Sequence, residues 1–115
     1  MALLTRAAIL QANDLPTETV AVPEWGGDVL VRGLGGAERD QLEALMLQDK
    51  ERSYDNLSAR LAAMSIVDEQ GARLFTDADI AALGKKSAGA LRRVVEAAQR
   101  LSAMSASDAA ELIKN

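Results

Sequence analysis

The 115-residue chain contains neither histidine nor cysteine. The side chains that most often serve as general base, metal ligand or thiolate nucleophile are therefore missing. Acid–base or metal chemistry would fall to carboxylates, and Asp68, Glu69, Asp77 and Asp79 gather within a dozen residues. A cation site needs several such groups converging on one point. The run Asp68-Glu69-Gln70-Gly71 does not meet the requirement of an EF-hand loop at its third and fifth positions. The plainer roles are local: turn polarity for Asp68 and Glu69, helix N-terminal charge for Asp77 and Asp79. Gly33-x-Gly35-Gly36 lies between an expected strand and an expected helix, where a phosphate loop could begin. The third spaced glycine of a dinucleotide fingerprint and the Gly-Lys-Ser/Thr of a P-loop are both lacking, so it reads as a strand-to-helix turn. No catalytic residue, cofactor-binding residue or metal ligand is assigned, and the protein is read as a non-enzyme.

These groups are positioned by short, well-punctuated elements. Thr5 can cap a helix over Thr5–Asn13 that Pro16 prevents from continuing. Thr19–Val22 and Asp28–Arg32, rich in β-branched residues, flank the loop residues Pro23–Gly27 and predict a hairpin. A helix is expected over Ala37–Gln48, with Glu38 and Asp40 in its first turn and Leu42, Leu45 and Met46 as its apolar stripe. Leu57, Leu61 and Met64 fall at i, i+4 and i+7 of another helix. Ile66-Val67 and Leu74-Phe75 predict a second small hairpin across Asp68–Gly71, whose glycine accepts a positive φ. Thr76-x-x-Asp79 fits a capping box for a helix to Leu83, with Gly84 as its stop. Ser87 caps the longest helix, Ala88 to about Ser102, in which Glu96 has Arg92 and Arg100 four residues to either side. Ser105-x-x-Asp108 can cap a last helix through Ile113. The expected fold is a mainly helical, small α+β domain spanning residues 1–115, with one or two short β-hairpins.

Hydrophobic residues make up 49% of the chain, which excludes a disordered polymer. Twenty-two of them are alanine and aromatics are 3%, so the core is thin, with apolar surface left for another subunit or a partner to complete. The net charge of −4 and the absence of a Lys/Arg cluster disfavour nucleic acid. MALLTRAAIL is interrupted by Arg6 and does not read as a signal peptide, and no apolar run is long enough for a bilayer. Neither nucleic acid nor membrane is an expected partner, and a cytoplasmic protein is the default.

The candidate partner-binding residues are Trp25, Leu91, Val94, Val95, Leu101 and Met104. Trp25, in a glycine-rich loop, suits a contact hot spot or a lid folded onto the core. Leu91, Val94, Val95, Ala98 and Leu101 form a helical stripe that serves as core or, at a subunit interface, as both core and contact face. Met46, Met64 and Met104 suit contacts that must repack.

The order of several segments resembles the tail assembly chaperones of bacteriophages with long, non-contractile tails. They are Val20–Gly33 (V-x-V-P-E-W-G-G-x-V-x-V-R), Arg60–Gly71, Arg73–Asp77, Lys86-Ser87-Ala88, the run A-L-R-R-V-V-E-A-A-Q-R-L-S of residues 90–102, and Glu111–Asn115. Residues 34–56 are the least distinctive, and Val95 stands where many relatives have an aromatic. The resemblance implies a non-enzymatic protein of the infected bacterial cytoplasm that is absent from the mature virion. It would hold the tape measure protein while tail tube protein polymerises around it, with self-association and no cofactor. It also implies a longer frameshifted product, with which Lys114-Asn115 is compatible. Two alternatives remain at this point: a structural tail or head-completion protein retained in the virion, and a small carboxylate-based metal enzyme.

Overall fold

The computed structural model describes residues 3–48 and 56–102, and of residues 45–48 the backbone only. Residues 49–55, Met104 and the helix expected after Ser105 lie outside the described residues. The element order is α1 (Arg6–Gln11), β1 (Thr17–Val22), β2 (Gly27–Arg32), α2 (Gly36–Gln48), α3 (Leu57–Ser65), β3 (Ile66–Val67), α4 (Ile80–Leu83) and α5 (Ala88–Leu101). Short 3-10 turns over Pro23–Trp25 and Asp77–Asp79 complete it. This is a mainly helical α+β fold around a three-stranded antiparallel sheet of order β1-β2-β3.

The first hairpin forms as expected, with strand 1 beginning two residues earlier. Thr17 pairs with Arg32 and Val22 with Gly27, and Gly26 ends the turn at φ 77°. The second hairpin takes a different form. Ile66-Val67 pairs with β2, Leu30 opposite Val67 and Val31 opposite Ile66. The returning chain adds an isolated bridge from Val67 to Arg73 and one amide bond from Leu74 to the Ile66 carbonyl, 3.1 Å. Leu74 is 53% exposed and Phe75 tucks between two apolar clusters, so neither continues a strand. The reversal itself is tight. The Asp68 carboxylate accepts the amides of Gln70 and Ala72, both at 2.9 Å, and Gly71 adopts φ 85°.

α5 is the spine of the core. Ala90, Leu91, Val94, Val95, Ala97 and Ala98 are buried, and Val22, Val31, Leu34, Leu42, Leu61, Ala62, Met64 and Ile66 join the same cluster. The helix packs on β1, β2 and α3. Ser87 caps it, its Oγ accepting the Ala90 amide at 3.2 Å. Its small residues let neighbouring backbones approach. A Cβ on Gly33 would lie 2.6 Å from the Leu101 carbonyl oxygen, so glycine is required where the sheet meets the end of α5. Beside it the Leu34 amide donates to Ser102 Oγ at 2.9 Å.

Gly84 ends α4 as expected, in a right-handed conformation with φ −62°. Its lack of a side chain matters because a Cβ would collide with the Asn56 side-chain oxygen. Arg100 pairs with Glu18 of β1 rather than with Glu96, which takes Arg92 at 2.9 Å. A second long-range ion pair, Arg93 Nε to Glu24 Oε1 at 2.9 Å, ties the hairpin turn to α5.

Candidate functional site

The carboxylates that chemistry would need are spent on local structure. Asp68 organises its turn. Asp79 Oδ2 closes the capping box, accepting the Thr76 amide at 2.8 Å. Asp77 is exposed and meets Arg73 at 3.3 Å, and Glu69 is exposed. Among the described residues, no group of three or more His, Cys, Asp or Glu could hold a metal ion. The Gly33–Gly36 turn is likewise occupied. The Gly35 amide donates to Glu38 Oε1 at 2.9 Å, and Glu38 also binds Arg32 at 2.7 Å. A carboxylate therefore sits where a phosphate would have to approach, and like charge repels it.

What the fold does offer is a cleft of about 700 Å³ between the start of α3 and the outer flank of α5. Leu57 and Ala59 form one wall, and Leu91 and Val95, one turn apart on α5, form the other. Ala88, Gly84 and Lys86 close one end, while Arg92, Glu96 and Gln99 make the polar rim. The apolar floor has a helical cause. Leu91 and Val95 lie at i and i+4, at the edge of the buried arc, so each is covered by the core on one side and borders the cleft on the other. The lining is mainly apolar, with Lys86 at one end and Arg92 and Glu96 on the rim.

The six residues singled out from sequence divide accordingly. Leu91 and Val95 come together in the cleft wall. Val94 is fully buried in the core and Leu101 is half-buried against it. Trp25 ends the Pro23–Trp25 turn, half-buried on the core cluster, in the lid-like position, and does not line the cleft. Met104 lies outside the described residues. Leu57, Ala59 and Ala88 were not anticipated as site residues. Leu57 carried a signal as the first residue of the apolar i, i+4, i+7 set of α3, whereas Ala59 and Ala88 carried none.

The sheet, the spine helix and the open cleft make up a small α+β domain. The comparisons with known proteins say which family this is. The model for phage tail assembly chaperones matches residues 4–112, and the chain belongs to that family. The solved tail assembly chaperone of bacteriophage HK97 has a similar fold, with TM-score 0.61 over 88% of this chain and 86% of that one, at 20% identity. At that identity the likeness speaks for the fold. No curated protein matches the chain.

Proposed function

We propose that this tail assembly chaperone works as a single domain, without catalysis, by holding an apolar helical segment of its phage's tape measure protein in the cleft between α3 and α5. The cleft is the observation that carries the reading: an open apolar floor beside Leu91 and Val95 with a charged rim. Helix-in-groove binding buries the apolar face of an amphipathic partner, with anchors on each successive turn, and leaves its polar face in water. Trp25 and Leu101, half-buried, add contact surface as neighbouring side chains shift, and Met104 supplies an adaptable apolar group. In this reading the protein acts in the host cytoplasm while tail tube protein polymerises, self-associates, and leaves before the virion is complete. The expected longer frameshift product would carry the same domain.

Co-expression tests it. The chain should raise the soluble fraction of its phage's tape measure protein and copurify with it. Unchanged solubility and no copurification would retire the reading.

A further inference from the structure

The two ends of the α3/α5 cleft are not alike, because α3 and α5 run the same way. The Asn56 side chain lies against Gly84, just before α5, so both helices start at the Lys86 end. Ile66, directly after α3, pairs with Val31, and Gly33 meets the Leu101 carbonyl, so both helices finish beside the end of β2. Parallel helices add their dipoles. Partial positive charge gathers at the Lys86 end of the cleft, and partial negative charge gathers toward the end where Gln99 lies.

The positive end keeps its charge. Neither helix has an acidic residue in its first turn, and Asn56 makes no side-chain capping bond to α3. Lys86 adds a full charge there and has no carboxylate partner among the described residues. The other rim cation, Arg92, is matched by Glu96 at 2.9 Å. Arg100, in the last turn of α5, is taken by Glu18. Among the described residues, unmatched positive charge is thus left at one end of the cleft only.

A helix laid in the cleft brings a dipole of its own. Antiparallel to α3 and α5, its carbonyl end meets their amide ends and its amide end meets their carbonyl ends. Laid parallel, like ends meet at both places. Side chains sharpen the choice. An acidic residue in the last turn of the occupant approaches Lys86 in the antiparallel direction and lies at the far end in the parallel one. From Ala88 to Gln99 the cleft runs about 16 Å along α5, at 1.5 Å per residue, which accommodates about three turns.

We propose that the cleft selects the direction and charge pattern of its tape measure segment: an amphipathic helix of about three turns, antiparallel to α3 and α5, with an acidic residue in its last turn set against Lys86. This rests on the cleft being the tape measure site, and adds which segments it takes. An acidic residue in the last turn opposes a helix's own dipole in water. Such a segment is weakened as a free helix and relieved in the cleft.

The chain has no cysteine, so a single nitroxide can be placed at will. Lys85→Cys and Gln99→Cys put it at opposite ends of the cleft, the first exposed and the second half-buried. Each labelled full chain is mixed with an isotope-labelled helical fragment of its phage's tape measure protein, and NMR line broadening is read along the fragment. The label at 85 should broaden the carboxyl-terminal end of the bound helix most, and the label at 99 its amino-terminal end. Should the label at 99 lower the melting midpoint, Glu96→Cys, at an exposed rim position, replaces it. The opposite order, or equal broadening of both ends by each label, overturns the proposal and leaves the cleft as the binding site. Broadening from neither label retires both readings. In the unlabelled chain Lys86→Glu should weaken the fragment about three- to tenfold at low salt. Neutralising the acidic residue in the fragment's last turn should remove most of that difference. Equal affinity of wild type and Lys86→Glu likewise overturns the proposal.

Discussion

Gly33 shows how a single missing side chain can hold two layers together. Its position is buried, and any Cβ there would press on the Leu101 carbonyl oxygen at 2.6 Å and the carbon at 3.0 Å. Both atoms are backbone, which cannot rotate away as a side-chain tip can. Gly33→Ala should therefore push the sheet from the end of α5 and cost about 1–3 kcal/mol, the usual range for overpacking. Urea unfolding monitored by circular dichroism measures it, and a midpoint equal to wild type would contradict the close approach. From sequence this glycine read only as part of a strand-to-helix turn, because the atom it makes room for lies 68 residues away. Asp68 and Asp79 were legible for the opposite reason: their partners lie within four residues, and their roles at turn and cap were read correctly.

The hairpin and α5 are linked by charge as well as by packing. The Glu24 carboxyl is held below its ordinary value of 4.5, first by a backbone hydrogen bond, which desolvation opposes, and then by the Arg93 guanidinium. A carboxyl whose folded pKa lies below its unfolded one contributes stability above the unfolded value and loses it as pH falls through the folded one. Glu24→Gln should thus lower the melting midpoint slightly near neutral pH, with the difference shrinking as pH falls below the ordinary carboxyl value of 4.5. Equal melting curves at both ends of that range would show that the link contributes nothing. Elements with strong local signals were legible in this chain: α5 through its stripe and Ser87 cap, β1–β2 through β-branched residues and the Pro–Gly loop. The second hairpin was overread, because Leu74-Phe75 has strand composition but only one bridge's length of partner. Of the two arginines four residues to either side of Glu96, Arg92 takes it and Arg100 meets Glu18 of β1, a partner that spacing along α5 does not reveal.

The molecule as a unit leaves two apolar surfaces open, the α3/α5 cleft and α1. The fold class and family were legible in the order of segments, and both are supported by the architecture and by the family match over residues 4–112. The cleft was half legible. Leu91 and Val95 were picked out with Val94 as one stripe, but only the packing of α3 against α5 separates the two that border open space from the one sealed in the core. That α1 would bury no residue among the described ones has no signature in periodicity, since an apolar helix looks alike whether it is covered or not.

The most direct measurement is calorimetric titration of the chain with a purified helical fragment of its phage's tape measure protein, comparing wild type with Ser58→Arg, which fills the cleft from an exposed position. Binding by the wild type with a negative heat-capacity change, weakened at least about tenfold in the variant, is the predicted result. Equal affinity for both proteins would contradict the cleft as the binding site.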